Sequence, residues 1–281
     1  TNCHNSLCAV GGTINEDDHL FGLSAAKKYG GIYVPANLSV IHSYAREELA
    51  GCGKMILGSD SHTRYGALGT LAIGEGGPEL VKQLLKNTYD IAAPEVVLCY
   101  VTGSPRRGVG PHDVALALVK EAFPEGRAKN KILEFVGPGI RHLSADYRNG
   151  IDVMTTETTC LSSIWQTDSV IAEYYRAHSR PGDYSRLSPQ NGAYYDAMIT
   201  IDLDKVECMI ALPFHPSNAY PIHEFVARAD ELLQKVEAEA RASFPKVDLH
   251  LREKVKTDGV YADQGIIAGC AGGLFDNIIE A

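Results

Sequence analysis

The chain has no apolar stretch approaching the roughly 18 residues that a bilayer-spanning helix needs, and no basic segment followed by an apolar run near its start. No membrane partner is expected, and the expected location is cytoplasmic. It also lacks a Walker sequence, a Gly-x-Gly-x-x-Gly run opening a helix, and any Cys-x-x-Cys pair. The basic run Gly103-Ser104-Pro105-Arg106-Arg107-Gly108 reads as an exposed loop rather than a phosphate cradle, because Pro105 and two adjacent arginines suit solvent better. Positive charge is scarce: 26 Lys and Arg against 35 Asp and Glu leave a net charge of -9. That balance works against a general affinity for nucleic acid or anionic lipid, and makes a small molecule the expected partner. The seven cysteines are odd in number and dispersed, in a chain too long to need disulfide staples. They are expected as free thiols in a reducing compartment, available for core packing or for metal.

What is present is ordinary globular material, 45% hydrophobic and 22% charged over 281 residues, enough for two or three compact cores. The chain opens at Thr1 without Met and closes at Ala281 just into what reads as a new helix, so a piece of a longer protein is expected.

Short β-branched runs alternate with helical patterns. Strands are expected at Ile32-Tyr33-Val34, Met55-Ile56-Leu57, Val96 to Val101 and Ile132 to Val136, with Gly and Pro at the joins. Pro111 and Asp113 suit a helix N-terminus that runs to Phe123 and stops at Pro124. A long amphipathic helix is predicted over Ile222 to Ala240, where Ile222, Phe225, Val226, Ala229, Leu232, Leu233 and Val236 share one stripe. Gln264 to Ile279 reads as a buried strand, a Gly-rich turn carrying Cys270, and a helix start. The fold class is therefore α/β. Boundaries near Pro94 and in the stretch from Pro213 to Pro221 divide it into regions 1–94, 95–214 and 215–281.

The run Gly58-Ser59-Asp60-Ser61-His62-Thr63 follows a predicted strand and carries a carboxylate and an imidazole two positions apart. It either presents an acid/base group into a cleft, or forms a turn with a surface histidine. Glu157 stands among hydroxyls and a thiol in Met154 to Ser163, with no basic neighbour in sequence. It is either an exposed Glu on a Thr-rich strand or a buried carboxylate that needs a His or Arg from elsewhere. His4 and His42 each lie near an apolar segment, and either alone reads more readily as a structural histidine than as a functional one. Cys3, Cys8 and Cys160 are either core thiols or soft metal ligands.

Taken in order, these segments resemble the aconitase and isopropylmalate isomerase family over essentially the whole chain. His42 precedes Asp60 by eighteen residues, Gly137-Pro138-Gly139 precedes the Glu157 element, and Cys270 sits in the Gly-rich turn. Within the family the sequence looks more like an aconitase-like hydratase group than aconitase itself. The resemblance implies three-layer α/β/α domains with mixed sheets, and a hydro-lyase acting on a small hydroxylated carboxylic acid. It also implies a [4Fe-4S] cluster in the full-length protein, with an open iron acting as a Lewis acid. Cys270 matches one cluster thiolate. The remaining ligands, the base and the carboxylate-binding arginines would lie downstream of Ala281, so these residues alone should not hold the cluster or turn over, and would need the remaining C-terminal domains. Site residues implied are His4, His42, Asp60, Ser61, His62 and Glu157, with Asp60 paired to His42 and Glu157 to His62.

Departures from the family pattern are Cys3 in place of the carboxylate partner of His4, Tyr65 for Asn or Thr, Val153 for Asn, and Ala271-Gly272-Gly273 for Thr-Asn-Ser. They motivate an alternative, an aconitase-like binding or regulatory protein without catalysis. A weaker alternative is a hydrolase with Asp60 and His62 as zinc ligands.

Overall fold

A computed structural model of the chain describes residues 2–3, 13–86 and 88–281. The strands are β1 (Asn2–Cys3), β2 (Tyr33–Val34), β3 (Met55–Gly58), β4 (Leu71–Gly74), β5 (Val96–Thr102), β6 (Ile132–Val136), β7 (Ser162–Trp165), β8 (Ala197–Asp202), β9 (Met209–Ala211), β10 (Ala219–Pro221), β11 (Val255–Lys256) and β12 (Gly259–Val260). The helices are α1 (Thr13–Tyr29), α2 (Ile41–Tyr44), α3 (Gly77–Lys86), α4 (Pro111–Ala122), α5 (Ala145–Met154), α6 (Ser169–Ala177), α7 (Ile222–Ala227), α8 (Ala229–Ser243), α9 (Gly269–Gly272) and α10 (Phe275–Glu280).

The central sheet is parallel throughout, in the order β7-β6-β5-β8. Its runs Val97, Cys99, Val101 and Leu133, Phe135 are buried beneath the helices that link the strands, which is why they read as apolar stretches. Phe135 stacks on Trp165 with ring centroids 4.1 Å apart. The parallel pair β3–β4 forms a second small sheet, joined to the first where Ser162 Oγ donates to the Ala72 carbonyl at 2.6 Å. The chain is thus the α/β protein expected, with parallel strands and covering helices. Among the described residues no helix is long and apolar enough to cross a membrane.

Helix α4 begins as its residues predict. Pro111 needs no N–H partner in the first turn, and the Asp113 carboxylate accepts the Gly110 N–H at 2.7 Å. Helix α5 is capped by Ser144, which accepts from Tyr147 N, and α6 by Asp168, which accepts from Val170 N. Arg148 of α5 reaches that Asp168 with both terminal nitrogens, at 2.9 and 2.8 Å, binding the two helices together.

Three readings change. The amphipathic stretch from Ile222 to Ala240 is two helices, because Arg228 leaves helical dihedrals (φ -121, ψ 18) while its side chain grips Glu224 and Glu231. The apolar stripe survives the break, since Phe225, Ala229, Leu232, Leu233 and Val236 share one core. The predicted buried strand after Gln264 is absent. Ile266 and Ile267 are 81% and 59% exposed, and among the described residues no strand lies beside them to complete the hydrogen bonds that a parallel strand needs. Cys270 accordingly sits within the short helical turn α9 rather than between a strand and a helix.

Candidate functional site

Gly58 ends β3, and the chain turns at once into Ser59 to Tyr65. Thr63 closes the turn on Asp60, its N–H and hydroxyl meeting the Asp60 carbonyl at 3.0 and 2.7 Å. The loop folds back so closely on β4 that a Cβ on Gly74 would lie 2.3 Å from the Asp60 carbonyl oxygen. Only glycine fits there. The Asp60 carboxylate then accepts the His62 N–H at 2.7 Å, an Asx-type turn that settles the direction of both side chains.

His42 comes from α2, which runs on into a single π-helical turn, Ala45–Leu49, a widened form frequent at functional sites. The imidazole is 3% exposed. Its Nε2 lies 3.0 Å from Asp60 Oδ1, and its Nδ1 lies 3.0 Å from the Tyr65 hydroxyl. Burial lowers the His42 pKa despite the nearby carboxylate, so the ring is neutral at pH 7. A neutral ring between those partners donates from Nε2 to Asp60 and accepts from Tyr65 at Nδ1. For Asp60 itself burial acts upward, but the His62 N–H and the facing His42 outweigh it and hold the carboxyl low.

Glu157 lies on the chain entering β7, in a 3-10 turn, Thr155–Thr158, and not on a strand. Thr155 and Thr158 tighten the turn by donating to the Asp152 and Thr155 carbonyls. Thr156 Oγ1 donates to the Ser61 carbonyl at 2.7 Å, clamping this turn to the loop after β3. Glu157 Oε1 thereby comes within 3.3 Å of His62 Nε2. The Glu157 hydrogen bond raises the His62 pKa, with burial opposing, and the same bond lowers that of Glu157. His62 is one-third exposed, and the exposed Ser61 hydroxyl stands 3.4 Å from its Nδ1.

The structure therefore brings His42, Asp60, Ser61, His62 and Glu157 into one cluster, with the two imidazole centroids 6.4 Å apart. It lowers the pKa of one imidazole by burying it, and raises that of the other, which faces solvent and meets Glu157. Cys270 is near enough that Asp60 and Arg46 act on it electrostatically, while burial pushes its thiol pKa up. His4, Cys8 and the side chain of Cys3 lie outside the described residues. Cys160 is buried in the core and donates to the Thr155 carbonyl at 3.3 Å. Val153, fully buried, packs into the protein interior.

Two residues near the cluster escaped the sequence reading. Tyr65 is 2% exposed and completes the shell of His42; its only signal was being a departure from the expected polar residue. Arg46 is 1% exposed, and nothing in the run Arg46-Glu47-Glu48 marks it as buried. Neither helps to make a metal site. Among the described residues no group of three or more His, Cys, Asp or Glu is arranged to hold a metal.

The family model for the aconitase family (aconitate hydratase) matches residues 9–281. The aconitase htyD of Aspergillus rugulosus is 34% identical over 193 residues, covering 67% of this chain and 22% of that protein. The mitochondrial aconitate hydratase of Saccharomyces cerevisiae is 32% identical over 219 residues, covering 74% of this chain and 28% of that protein. An aconitase fused to the ribosomal protein bL21m in Schizosaccharomyces pombe is 30% identical over 222 residues, covering 75% and 24%. The chain spans about a quarter of the length of the curated relatives it matches.

Proposed function

Because the chain belongs to the aconitase family, we propose that it is part of a hydro-lyase that dehydrates and rehydrates a small hydroxylated carboxylic acid. The observation that carries this reading is the pairing of each imidazole with its own carboxylate, His42 with Asp60 at 3.0 Å and His62 with Glu157 at 3.3 Å. In dehydration His62, accessible and with its pKa raised by Glu157, gives a proton to the departing hydroxyl. Glu157 steadies the imidazolium beforehand and the neutral ring afterwards. The carbon-bound proton goes to a base outside the described residues, so oxygen leaves as water and an alkene remains. Hydration runs the same transfers in reverse. Asp60 positions both rings, and Ser61 offers a hydroxyl at the mouth of the site. His4 is a further candidate.

In the complete protein Cys270 is assigned as one thiolate of a [4Fe-4S] cluster, which when bound supplies Lewis-acid polarisation of the hydroxyl. The test is anaerobic reconstitution of the full-length protein with iron and sulfide, followed by assay of a panel of hydroxy acids. Turnover of at least one acid is expected, with kcat falling by about 10²- to 10⁴-fold in His62→Asn, the range that loss of a general acid brings. No turnover across the panel by cluster-loaded protein would sink the proposal. The plain turn Ala271-Gly272-Gly273 beside Cys270 favours the second reading, a binding protein without catalysis, which predicts tight binding of an acid with no alkene formed. A cytoplasmic location belongs to the same proposal and is checked by cell fractionation.

A further inference from the structure

Among the buried arginines, Arg148 shows what a completed guanidinium looks like in this protein. Its Nε donates to the Leu143 carbonyl, Nη1 to Asp168, and Nη2 to both Asp168 and the Ile140 carbonyl. Arg46 is as deeply buried, yet only Nη1 is used, donating to the Cys270 carbonyl at 3.1 Å. Its Nε and Nη2 are buried with no hydrogen-bond partner among the described residues. A guanidinium cannot shed its charge, so an open fork in the interior calls for an acceptor.

Among the described residues no carboxylate supplies one. Asp152 lies within electrostatic reach, but burial pushes its pKa up. Its Oδ1 already takes Ser163 Oγ and Trp165 Nε1, at 2.6 and 2.8 Å, and its Oδ2 makes no bond. Beside Arg46, Asn149 is 1% exposed and both of its amide atoms lack partners among the described residues. Arg46, Asn149, Ser43 and the segment Gly273 to Phe275 line a cavity of about 580 Å³, within the size range of small-ligand sites. The rim carboxylates Asp146 and Asp276 are engaged with the Asp276 N–H and the Ser144 hydroxyl; Glu47 also lies on this rim. Arg46 links this cavity to the histidine cluster: its guanidinium lies 6.0 Å from the centroid of the Tyr65 ring, whose hydroxyl lies 3.0 Å from His42 Nδ1.

We propose that Arg46 and Asn149 form a carboxylate-binding subsite, which takes a carboxylate of the substrate acid and seats the rest of it beside His42 and His62. The proposal rests on the hydro-lyase reading. The open edge of the guanidinium offers two parallel N–H donors to two carboxylate oxygens, and the Asn149 amide offers a third. Binding at this point places an ionised acid against a buried cation that neither Asp60 nor Glu157 pairs with.

The test uses tricarballylate, a tricarboxylate with no hydroxyl to lose, titrated calorimetrically into the full-length protein. Wild type is expected to bind. Arg46→Met should weaken Kd about ten- to a hundredfold, the loss that removal of charge-assisted hydrogen bonds brings, and Arg46→Lys, which keeps charge but not the fork, should lie between. Asn149→Ala removes a side chain that has no internal bonds to lose, and should fold and bind more weakly. Should Arg46→Met fail to fold, Asn149→Ala decides. His62→Asn should lower kcat on the hydroxy acid by about 10²- to 10⁴-fold while leaving Kd for tricarballylate within about twofold, which separates the two readings. Failure of wild type to bind, or wild-type affinity in the folded Arg46 and Asn149 variants, overturns the subsite. Arg46-dependent binding by a protein that turns nothing over leaves the subsite standing and removes the hydro-lyase reading.

Discussion

His42 and His62 are the same side chain in two environments, and the difference is the basis of a division of labour. His42 is walled in, so burial outweighs its carboxylate and the ring stays neutral. His62 is partly solvated, so the Glu157 bond prevails and raises the pKa of the ring. Histidine NMR titration should find His62 titrating above the ordinary value of about 6.5 and His42 below it. Glu157→Gln should move the His62 midpoint down and leave His42 nearly in place. The stability consequence follows from linkage. The raised His62 pKa contributes stability that is complete below the unfolded value and is lost as pH rises through the folded one. The lowered Glu157 pKa contributes above its own unfolded value and is lost as pH falls through the folded one. The pair therefore helps most between about pH 4.5 and 6.5. Lowered His42 has the opposite sense to His62: its contribution is complete above about pH 6.5 and is lost on acidification. Urea unfolding midpoints across pH, compared with those of Glu157→Gln, check the pair. Tyr65→Phe leaves the buried His42 Nδ1 without its partner, and should cost about 1–3 kcal/mol in the same measurement.

At the level of elements, the site depends on two loops held together. The loop after β3 lies against Gly74, and the turn before β7 is tied to it by Thr156. Gly74→Ala places a Cβ against backbone at Asp60 O and Ser61 Cα, at 2.3 and 2.9 Å, neither of which can rotate away. The expected cost is about 1–3 kcal/mol of stability, with a fall in kcat because the loop shift separates His62 from Glu157. The helix pair α5 and α6 is a second control point. Asp168→Ala leaves Arg148 charged, buried and unpaired, and should destabilise by about 3–5 kcal/mol, more than Arg148→Met, which removes the charge itself. Comparing the two variants by chemical denaturation shows whether the charge or the packing matters. How much of these elements was legible depended on whether their cause was local. Strand β6 and the start of α4 follow from β-branched runs and from Pro111 with Asp113. The break at Arg228 was not legible, because it interrupts backbone dihedrals without interrupting the apolar stripe.

For the whole molecule, a surplus of acid fits a small-molecule enzyme, and Ile266, Ile267, Phe275, Ile278 and Ile279 stand exposed around the Cys270 turn. On the proposed cluster assignment, in which Cys270 would provide one thiolate of three, a polypeptide of these 281 residues alone, reconstituted anaerobically, should retain far less sulfide than the full-length protein. Equal sulfide retention by both would show that the ligands lie within these residues.

Composition, periodicity and motif order alone determined the α/β class, the strand that delivers Asp60, and the list of histidines and carboxylates worth watching. They could do so because strand and helix periods, caps and glycine turns are written into neighbouring residues. Only the tertiary structure decided which imidazole has its pKa lowered and which raised, that Tyr65 closes the shell of His42, and that Arg46 is buried with its fork open. Burial and partnership depend on residues up to 224 positions apart, as Arg46 and Cys270 are, and no local pattern encodes how much water remains around a side chain once the chain has closed over it.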